Sequence, residues 1–427
     1  MTFEGRRALD AEGIERWLIE GLRRLASKAN IGAVIPIGHG AAVAIIHEGT
    51  LLFPPLDYEE PIPSEIRAAY DRKRDPFSRT GSPALPDGLN LGVQLFRVKD
   101  ALLGDTQILL WPQYWAWKLS GVAAAEVTSL GCHTDLWCPR DDCFSELARS
   151  MGWAERFPPL RYAGDVLGTV TAEWADRTGL PQDTQVHCGV HDSNAALVAA
   201  RAYPEIRNKE ATVLSTGTWF VAMRSPARDT TLPSLSEDRD CLLNVDVHRH
   251  PIPSARFMGG RELELLAPAE QDPHSEEPQA MLAAVPQILQ SGAMTIPSFV
   301  AGVGPFPHNH GRWINKPDDA ITQHAASYLY AAMVASASLD LIGAKERILI
   351  EGRFAQVELF VRALAALRPQ DAIYTSSSVA DVSFGAICLL NASIQPPALL
   401  RRVDPLPHDL DDYHEAWKRK VNQDTDE

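Results

Sequence analysis

Two short segments of the chain carry residue types suited to phosphoryl transfer. In the first, an apolar stretch ends at Gly189-Val190-His191-Asp192, which places one carboxylate after a predicted strand and before an alanine-rich predicted helix. In the second, a predicted strand at 211–214 runs into Ser215-Thr216-Gly217-Thr218-Trp219. An acid can accept the proton of an attacking alcohol, and a turn rich in glycine and hydroxyls can hold phosphate oxygens. Both patterns also occur at helix caps and hairpin ends, so capping by Asp192 stays open.

Strands alternate with helices along the chain, which indicates an α/β architecture of two similar-sized domains with a boundary near 190–200. Residues 9–28 have apolar positions at helical spacing and are predicted to form an amphipathic helix. Residues 320–342 are predicted to form a long helix with small side chains along it. A further predicted helix at 108–119 is rich in tryptophan and tyrosine, for which packing in a core is favoured over a sugar platform. Acidic residues cluster near the C-terminus, so 401–427 is predicted to be a solvated acidic tail.

Composition excludes several classes of protein. A chain of 427 residues is too long for a single hydrophobic core. Its net charge of −15 opposes binding to nucleic acid or to an anionic membrane. No apolar segment is long enough to span a bilayer and the N-terminus has no apolar leader, so we expect a cytoplasmic protein. A homodimer is the assembly favoured by frequency among soluble proteins.

Six cysteines in so long a chain do not indicate a disulfide framework. Cys132, Cys138 and Cys143 lie near one another beside His133, which raises the question of a zinc site. Their spacing lacks a Cys-x2-Cys pair, so buried reduced thiols are predicted and no metal ligands are assigned.

Six segments in order along the chain resemble those of the FGGY-type carbohydrate kinases. They are P-I-G-H-G at 36–40, L-W-P-Q-Y-W-A-W-K-L-S-G at 110–121 with Glu126 and Thr128-Ser129 after it, G-D-V-L-G at 164–168, G-V-H-D at 189–192, L-S-T-G-T-W at 214–219 and I-E-G-R-F-A-Q at 350–356. The second resembles the family's P-x-Y…L-T-G…E-x-T stretch. The fifth resembles the S-S-G-T-W segment of rhamnulokinase-like members.

The resemblance implies two ribonuclease-H-like domains flanking a cleft, within the superfamily that also holds actin and the heat-shock chaperone ATPases. It implies a sugar-binding domain at 1–190 and a nucleotide-binding domain at 191–400. The implied activity is phosphorylation of a ketose or related polyol with ATP and Mg2+. Such a cleft must close to exclude water, so hinge-like closure near 190–200 is expected.

The same resemblance implies roles for individual residues. Asp192 would be the general base. His39, His191, Gln94 and Asp57 would contact the sugar, although each has a plain alternative as a turn, backbone-paired or solvent-facing residue. The residues implied to contact the nucleotide are Thr216, Gly217, Thr218, Gly259, Gly260, Gly352, Arg353 and Gln356. Arg353 would stack on adenine or meet a phosphate, with a surface salt bridge as the alternative.

Two departures from the family's pattern matter. The D-x-G-T hairpin, which supplies phosphate-facing backbone and a carboxylate serving magnesium, occurs nowhere in the sequence. Glu351 and Arg353 stand where small residues are usual. The alternative function is therefore a catalytically impaired homologue that still binds sugar or nucleotide, and an in-frame D-x-G-T segment upstream of Met1 would favour the enzyme. An actin-like or chaperone-like ATPase would instead turn over ATP regardless of sugar.

Overall fold

The computed structural model of the protein describes residues 1–102, 104–227, 230–266, 278–376 and 382–425. The chain divides into two compact units, and both combine strands with helices, so the α/β class is confirmed. The first unit comprises residues 1–199, 243–251 and 381–394, and the second comprises residues 200–242, 252–380 and 395–427.

The first segment of the first unit ends at residue 199, and the assignment of the two units as sugar-binding and nucleotide-binding domains stays a prediction. Val190 and Ala195 are fully buried in one hydrophobic cluster that also contains Val247, with Leu389 packed against it. The strand Val190–His191, the helix Asp192–Arg201 and two later segments thus share one core. Packing between segments that are distant in the sequence decides the boundary, and local sequence patterns do not report such packing.

The first unit is built from short strands in small sheets. In chain order the strands are Thr2–Phe3, Arg6–Arg7, Ala33–Val34, Ile37–Gly38, Val43–His47, Thr50–Leu51, Gln107–Leu110, Ala125–Glu126, Trp137–Cys138, Cys143–Phe144, Leu160–Arg161, Val166–Thr169, Gln185–His187 and Val190–His191. The α-helices are Ala11–Ala26, Ser64–Asp71, Phe77–Thr80, Leu91–Arg97, Trp111–Ser120, Val127–Leu130, Glu146–Ser150, Ala172–Thr178, Asp192–Arg201 and Val382–Leu390. Short 3₁₀ turns lie at Lys99–Ala101 and Ala154–Arg156.

The predicted helix at 108–119 is instead a strand followed by a helix. Gln107–Leu110 pairs antiparallel with Val43–His47, and its last three residues are fully buried. The helix Trp111–Ser120 then begins with Pro112 in its first turn, where the missing N–H leaves no hydrogen bond unmade. Trp111, Tyr114 and Trp115 are buried in a hydrophobic cluster, as the core-packing interpretation predicted.

The second unit is organised around one seven-stranded sheet. In spatial order its strands are Cys241–Val245, Pro251–Phe257, Phe220–Ser225, Ala211–Thr216, Arg347–Gly352, Ala372–Ser376 and Leu400–Arg402. A two-stranded sheet joins Met294–Ile296 to Arg312–Ile314. The α-helices are Gly259–Leu266, Pro278–Ser291, Ala320–Leu341, Glu358–Leu367 and Asp411–Thr425, with 3₁₀ turns at Glu237–Arg239 and Arg353–Gln356.

The helix Ala320–Leu341 forms the centre of this unit's core. Asp319 caps its N-terminus by accepting a hydrogen bond from Thr322 N at 2.8 Å, and this bond lowers the pKa of Asp319. Alanines and serines at buried positions let neighbouring elements approach closely. Among the described residues, no helix combines the length and the apolar character that crossing a membrane requires.

The predicted solvated tail at 401–427 is wrong for the residues that the structure describes. Leu400–Arg402 is a strand of the main sheet, and Asp411–Thr425 is a helix. Trp417 is 1% exposed and donates a hydrogen bond from Nε1 to Thr295 O at 2.9 Å, and Tyr413 donates to Ala293 O. Apolar residues at helical spacing anchor this segment. Asp411 and Asp412 lie in the first turn of the helix Asp411–Thr425, where negative charge interacts favourably with the positive end of the helix dipole.

Candidate active site

Two parallel strands of the first unit place a histidine and a carboxylate at the same edge. Ile37 lies opposite Val190 and Gly38 lies opposite His191. Because the strands run parallel, the residues that follow them, His39 and Asp192, leave at the same end, which is where α/β proteins usually bind ligands. We call His39, His191 and Asp192 the acid–histidine cluster.

The carboxylate of Asp192 is accessible. Its side chain is 43% exposed, whereas the ring of His191 is 6% exposed. Asp192 Oδ1 accepts a hydrogen bond from Ser193 N at 2.6 Å, whereas a capping side chain accepts from the second or third residue of the helix. This bond does not occupy the carboxylate fully, because nearly half of the side-chain surface stays open to a ligand.

His191 is held as a neutral ring next to that carboxylate. Burial lowers the pKa of His191, and the nearby His39 adds to this effect while Asp192 opposes it. Its Nδ1 lies 3.5 Å from Asp192 Oδ1, and among the described residues it has no hydrogen-bond partner. A Cβ on Gly40 would lie 2.8 Å from His191 Nε2, so glycine at position 40 lets the turn pass this ring.

His39 presents a half-buried ring beside two aromatic residues. Its Nδ1 donates a hydrogen bond to Gly40 O at 2.8 Å, which fixes the ring orientation. The ring centroid lies 5.6 Å from that of Tyr58, edge to face, and 6.5 Å from that of Trp111. Aromatic walls with a few convergent polar groups are typical of small-molecule sites. Sequence reasoning missed Tyr58, although it directly follows Asp57.

Gln94 is buried beside the turn that carries His39. Gln94 is 1% exposed, and its Nε2 donates hydrogen bonds to Ala41 O at 2.7 Å and Gly88 O at 2.6 Å. Its Oε1 has no hydrogen-bond partner among the described residues, and the sugar contact of Gln94 stays a prediction. Asp57 is also engaged, because its carboxylate lies 3.5 Å from Arg7 Nη2 and accepts from Glu59 N at 2.9 Å.

A buried hydrogen-bond chain supports the acid–histidine cluster from behind. His191 N donates to Thr128 Oγ1 at 3.1 Å, and Thr128 donates in turn to Glu126 Oε2. Glu126 also accepts from Thr128 N at 2.9 Å, at the start of the helix Val127–Leu130. Glu126 and Thr128 were quoted with the family-like segment at 110–121, but the resemblance implied no role for either of them. The chain fixes the backbone of His191 and hence the residue that follows it.

Burial of Glu126 predicts a pH-dependent stability. Full burial raises the pKa of Glu126 from 4.5 to about 7. Between these values the native state keeps a proton that the unfolded chain has lost, so the free energy of unfolding falls as the pH rises. Glu126→Gln should reduce this fall by about 3 kcal/mol, while Glu351, whose pKa burial also raises to about 7, keeps a fall of its own. Urea unfolding at both ends of the window measures it, with the exposed Glu20→Gln as control; an unchanged pH dependence in Glu126→Gln would contradict it.

In the second unit, strand ends bring three glycine-containing turns together. Ala211–Thr216 and Arg347–Gly352 are parallel neighbours, with Thr216 opposite Gly352. A Cβ on Gly352 would lie 2.3 Å from Thr216 O, and a Cβ on Gly260 would lie 2.1 Å from Gly217 O. Gly352 also has a φ of +88°. We call Gly217, Gly260 and Gly352 the glycine-turn cluster; the backbones of Gly260 and Gly352 approach their neighbours as closely as they do because neither residue carries a side chain.

The two threonines that flank Gly217 differ in exposure. Thr216 is 1% exposed, and its Oγ1 donates to Glu351 O at 2.6 Å and accepts from Phe354 N at 3.1 Å. Its hydroxyl therefore holds two turns together, and the phosphate contact of Thr216 stays a prediction. Thr218 is exposed, so its hydroxyl can reach a ligand. Gly259 packs against aromatic rings, since a Cβ there would lie 2.7 Å from Phe257.

Glu351 lies in the strand Arg347–Gly352, and Arg353 and Gln356 lie on the 3₁₀ turn that follows it. The side chain of Arg353 is 52% exposed, and its ion pair with Glu264 is long, at 4.0 Å. Because exposed ion pairs are weak, Arg353 stays available to a ligand. Gln356 Nε2 donates to Ser376 O at 3.4 Å. Burial raises the pKa of Glu351 to about 7. The ligand roles of Arg353 and Gln356 stay predictions.

Comparison with known proteins identifies the class. Residues 208–397 match the family described as "Carbohydrate kinase FGGY, C-terminal domain". The solved structure of a carbohydrate kinase from Novosphingobium aromaticivorans is 51% identical, with a TM-score of 0.94, and the match covers 99% of this chain and 93% of that chain. The chain therefore belongs to the FGGY family of carbohydrate kinases. The predicted family and ribonuclease-H-like fold are confirmed.

Curated relatives match over shorter stretches. The L-fuculokinase of Salmonella typhi is 33% identical over 129 residues, which is 30% of this chain and 26% of the relative. The rhamnulokinase of Ligilactobacillus salivarius is 28% identical over 146 residues, which is 34% of this chain and 29% of the relative. These matches thus span little more than a quarter of either relative.

Proposed function

We propose that the chain catalyses ATP-dependent phosphorylation of a sugar hydroxyl, on a ketose or related polyol, with Asp192 as general base. The observation that carries the proposal is the accessible carboxylate of Asp192 at a strand end beside two histidines. Phosphoryl transfer depends mainly on positioning and on stabilising charge, so one well-placed carboxylate suffices for the proton. The sugars named for the fuculokinase and rhamnulokinase relatives define the first substrates to test.

The proposed step moves one proton and one phosphoryl group. Asp192 accepts the proton of the sugar hydroxyl as that oxygen bonds to the terminal phosphorus of ATP, and the bond from this phosphorus to the ADP oxygen breaks. His39 and His191 hydrogen-bond further hydroxyls and fix which one faces Asp192. The neutral state of His191 leaves no cation on that ring to pair with the carboxylate.

We infer that the glycine-turn cluster holds the nucleotide. Gly260 is buried and lets its turn pack closely against Gly217. The partly exposed backbone at Gly217 and the hydroxyl of the exposed Thr218 can meet phosphate oxygens. Mg2+, when bound, neutralises phosphate charge and usually keeps several waters. Among the described residues, the one group of three His, Cys, Asp or Glu residues with metal-ligand spacing contains no residue of either cluster. Phosphate oxygens and water would therefore supply most of the Mg2+ ligands.

A coupled assay of ADP formation tests the proposal. The full chain is given ATP and Mg2+ with L-fuculose, L-rhamnulose, other ketoses and sugar alcohols in turn. We expect ADP formation that requires one or a few of these sugars. Equal ADP formation without sugar would favour an ATPase, and nucleotide binding without any turnover would favour the impaired homologue.

A further inference from the structure

A hairpin in the first unit brings two thiols and a carboxylate together, away from the acid–histidine cluster. Trp137–Cys138 pairs antiparallel with Cys143–Phe144, and Cys138 lies opposite Cys143. The two Sγ atoms and a carboxylate oxygen of Asp141 all lie within 4.8 Å of one another. Both thiols are free, as the sequence predicted. Cys132 is not a member of this group and lies against Gly40 instead.

The hairpin backbone fixes this arrangement. Asp141 N donates a hydrogen bond to Cys138 O at 3.1 Å, and Asp142 adopts a left-handed conformation with a φ of +48°. The loop is thereby folded back over the strand pair. Trp137 and Phe144 pack edge to face at 5.2 Å. Because side chains alternate along a strand, the two cysteines share the other face of the hairpin.

A cation already lies at this group. Arg79 Nη2 is 3.1 Å from Asp141 Oδ2, and both side chains are about half exposed. Arg79 also interacts with the thiol of Cys138. The flexible, half-exposed side chain of Arg79 can move away from Asp141 without disturbing buried structure. Two thiols and one carboxylate are ligand types that zinc takes, and thiolate selects for soft or borderline metals over Mg2+ and Ca2+.

We propose that Cys138, Cys143 and Asp141 bind one zinc ion or a similarly thiophilic divalent ion, with water as the fourth ligand. Two protons leave the thiols as the two metal–sulfur bonds form, and Arg79 releases the carboxylate. Metal–sulfur distances of about 2.3 Å require the sulfurs to approach by at most about 1 Å. Rotation of the side chains about their Cα–Cβ bonds supplies that movement.

An intrachain disulfide is the competing fate of these thiols. Disulfide exchange requires a thiolate, which the neighbouring Arg79 can stabilise, so formation of a disulfide is one outcome of the test below. The carboxylate has no part in a disulfide, whereas it is a ligand in a metal site. The presence of Asp141 beside both sulfurs therefore favours the metal.

Cobalt binding tests the proposal directly. Metal-free, reduced full-length protein is titrated with Co2+ while thiolate-to-cobalt charge-transfer absorption is recorded, and Zn2+ is then added to displace the cobalt. We expect one ion per chain, with the absorption abolished in Cys138→Ser and in Cys143→Ser. Cys241→Ser, which changes a cysteine of the second unit, is the matched control and should retain it. Absence of the band in the wild type, or formation of a Cys138–Cys143 disulfide in its place, would overturn the proposal.

Two substitutions at exposed positions separate a three-ligand site from a pair of thiols. Asp141→Asn should weaken Co2+ binding by at least about tenfold. Arg79→Ala should tighten it, because the cation that competes for Asp141 is removed. Neither change threatens the fold, since both side chains are about half exposed. If both variants bind as the wild type does, Asp141 is not a ligand and the proposed site is wrong. Neither result depends on kinase activity.

Discussion

Asp192→Asn is expected to lower kcat by about 10²–10⁴-fold while sugar affinity changes little. The amide has nearly the shape of the carboxylate but cannot accept the hydroxyl proton. The coupled assay gives kcat and KM, and calorimetry with the best sugar gives the affinity. This is the largest effect that the proposed mechanism predicts for one side chain.

The same variant separates catalysis from capping. Asparagine can still accept the hydrogen bond from Ser193 N through its Oδ1, so the start of the helix Asp192–Arg201 should persist and the melting midpoint should stay near that of the wild type. Asp176→Asn, at an exposed position of the same unit, is the matched control and should be fully active. Retention of most activity by Asp192→Asn would remove Asp192 from the mechanism.

Gly260→Ala is expected to abolish nucleotide binding and destabilise the second unit. The new Cβ would lie 2.1 Å from Gly217 O and 3.1 Å from Thr218 Cα. These are backbone atoms, so the clash can be relieved only by moving one turn away from the other. Overpacking of this kind costs about 1–3 kcal/mol. Thermal unfolding and calorimetric titration with ATP measure the two effects.

Gly217→Ala is the matched comparison within the same cluster. A Cβ at position 217 would meet only Trp219 O, at 3.8 Å, which is an ordinary contact. Stability should therefore be close to that of the wild type, while ATP affinity falls because the methyl group covers backbone that phosphate approaches. If Gly217→Ala binds ATP normally, this turn does not hold the phosphates.

Much of the acid–histidine cluster could be predicted from the sequence. A polar residue directly after an apolar strand emerges at the strand end, and this rule located Asp192 without any long-range information, while the family resemblance singled out His39. The periodicity of 320–342 likewise predicted the helix Ala320–Leu341. In these cases the local pattern and the tertiary structure agree.

The errors and omissions concern residues whose environment is set by distant segments. The sequence did not reveal that the amide of Gln94 binds Ala41 O, which lies 53 positions away. The acidic C-terminal segment looked solvated, yet Trp417 is buried against the strand Met294–Ile296. Asp141 was not associated with the cysteine pair, because its approach depends on a left-handed residue in the hairpin. Composition and spacing carry no information on such contacts.

The most direct test follows the fate of the terminal phosphoryl group of ATP. ATP labelled with heavy oxygen in that group is incubated with Mg2+, the best sugar and either the wild type or Asp192→Asn, and the products are analysed by mass spectrometry. We predict a labelled sugar phosphate from the wild type and almost none from Asp192→Asn. Label found only in inorganic phosphate, or equal labelling of the sugar by both proteins, would contradict the account.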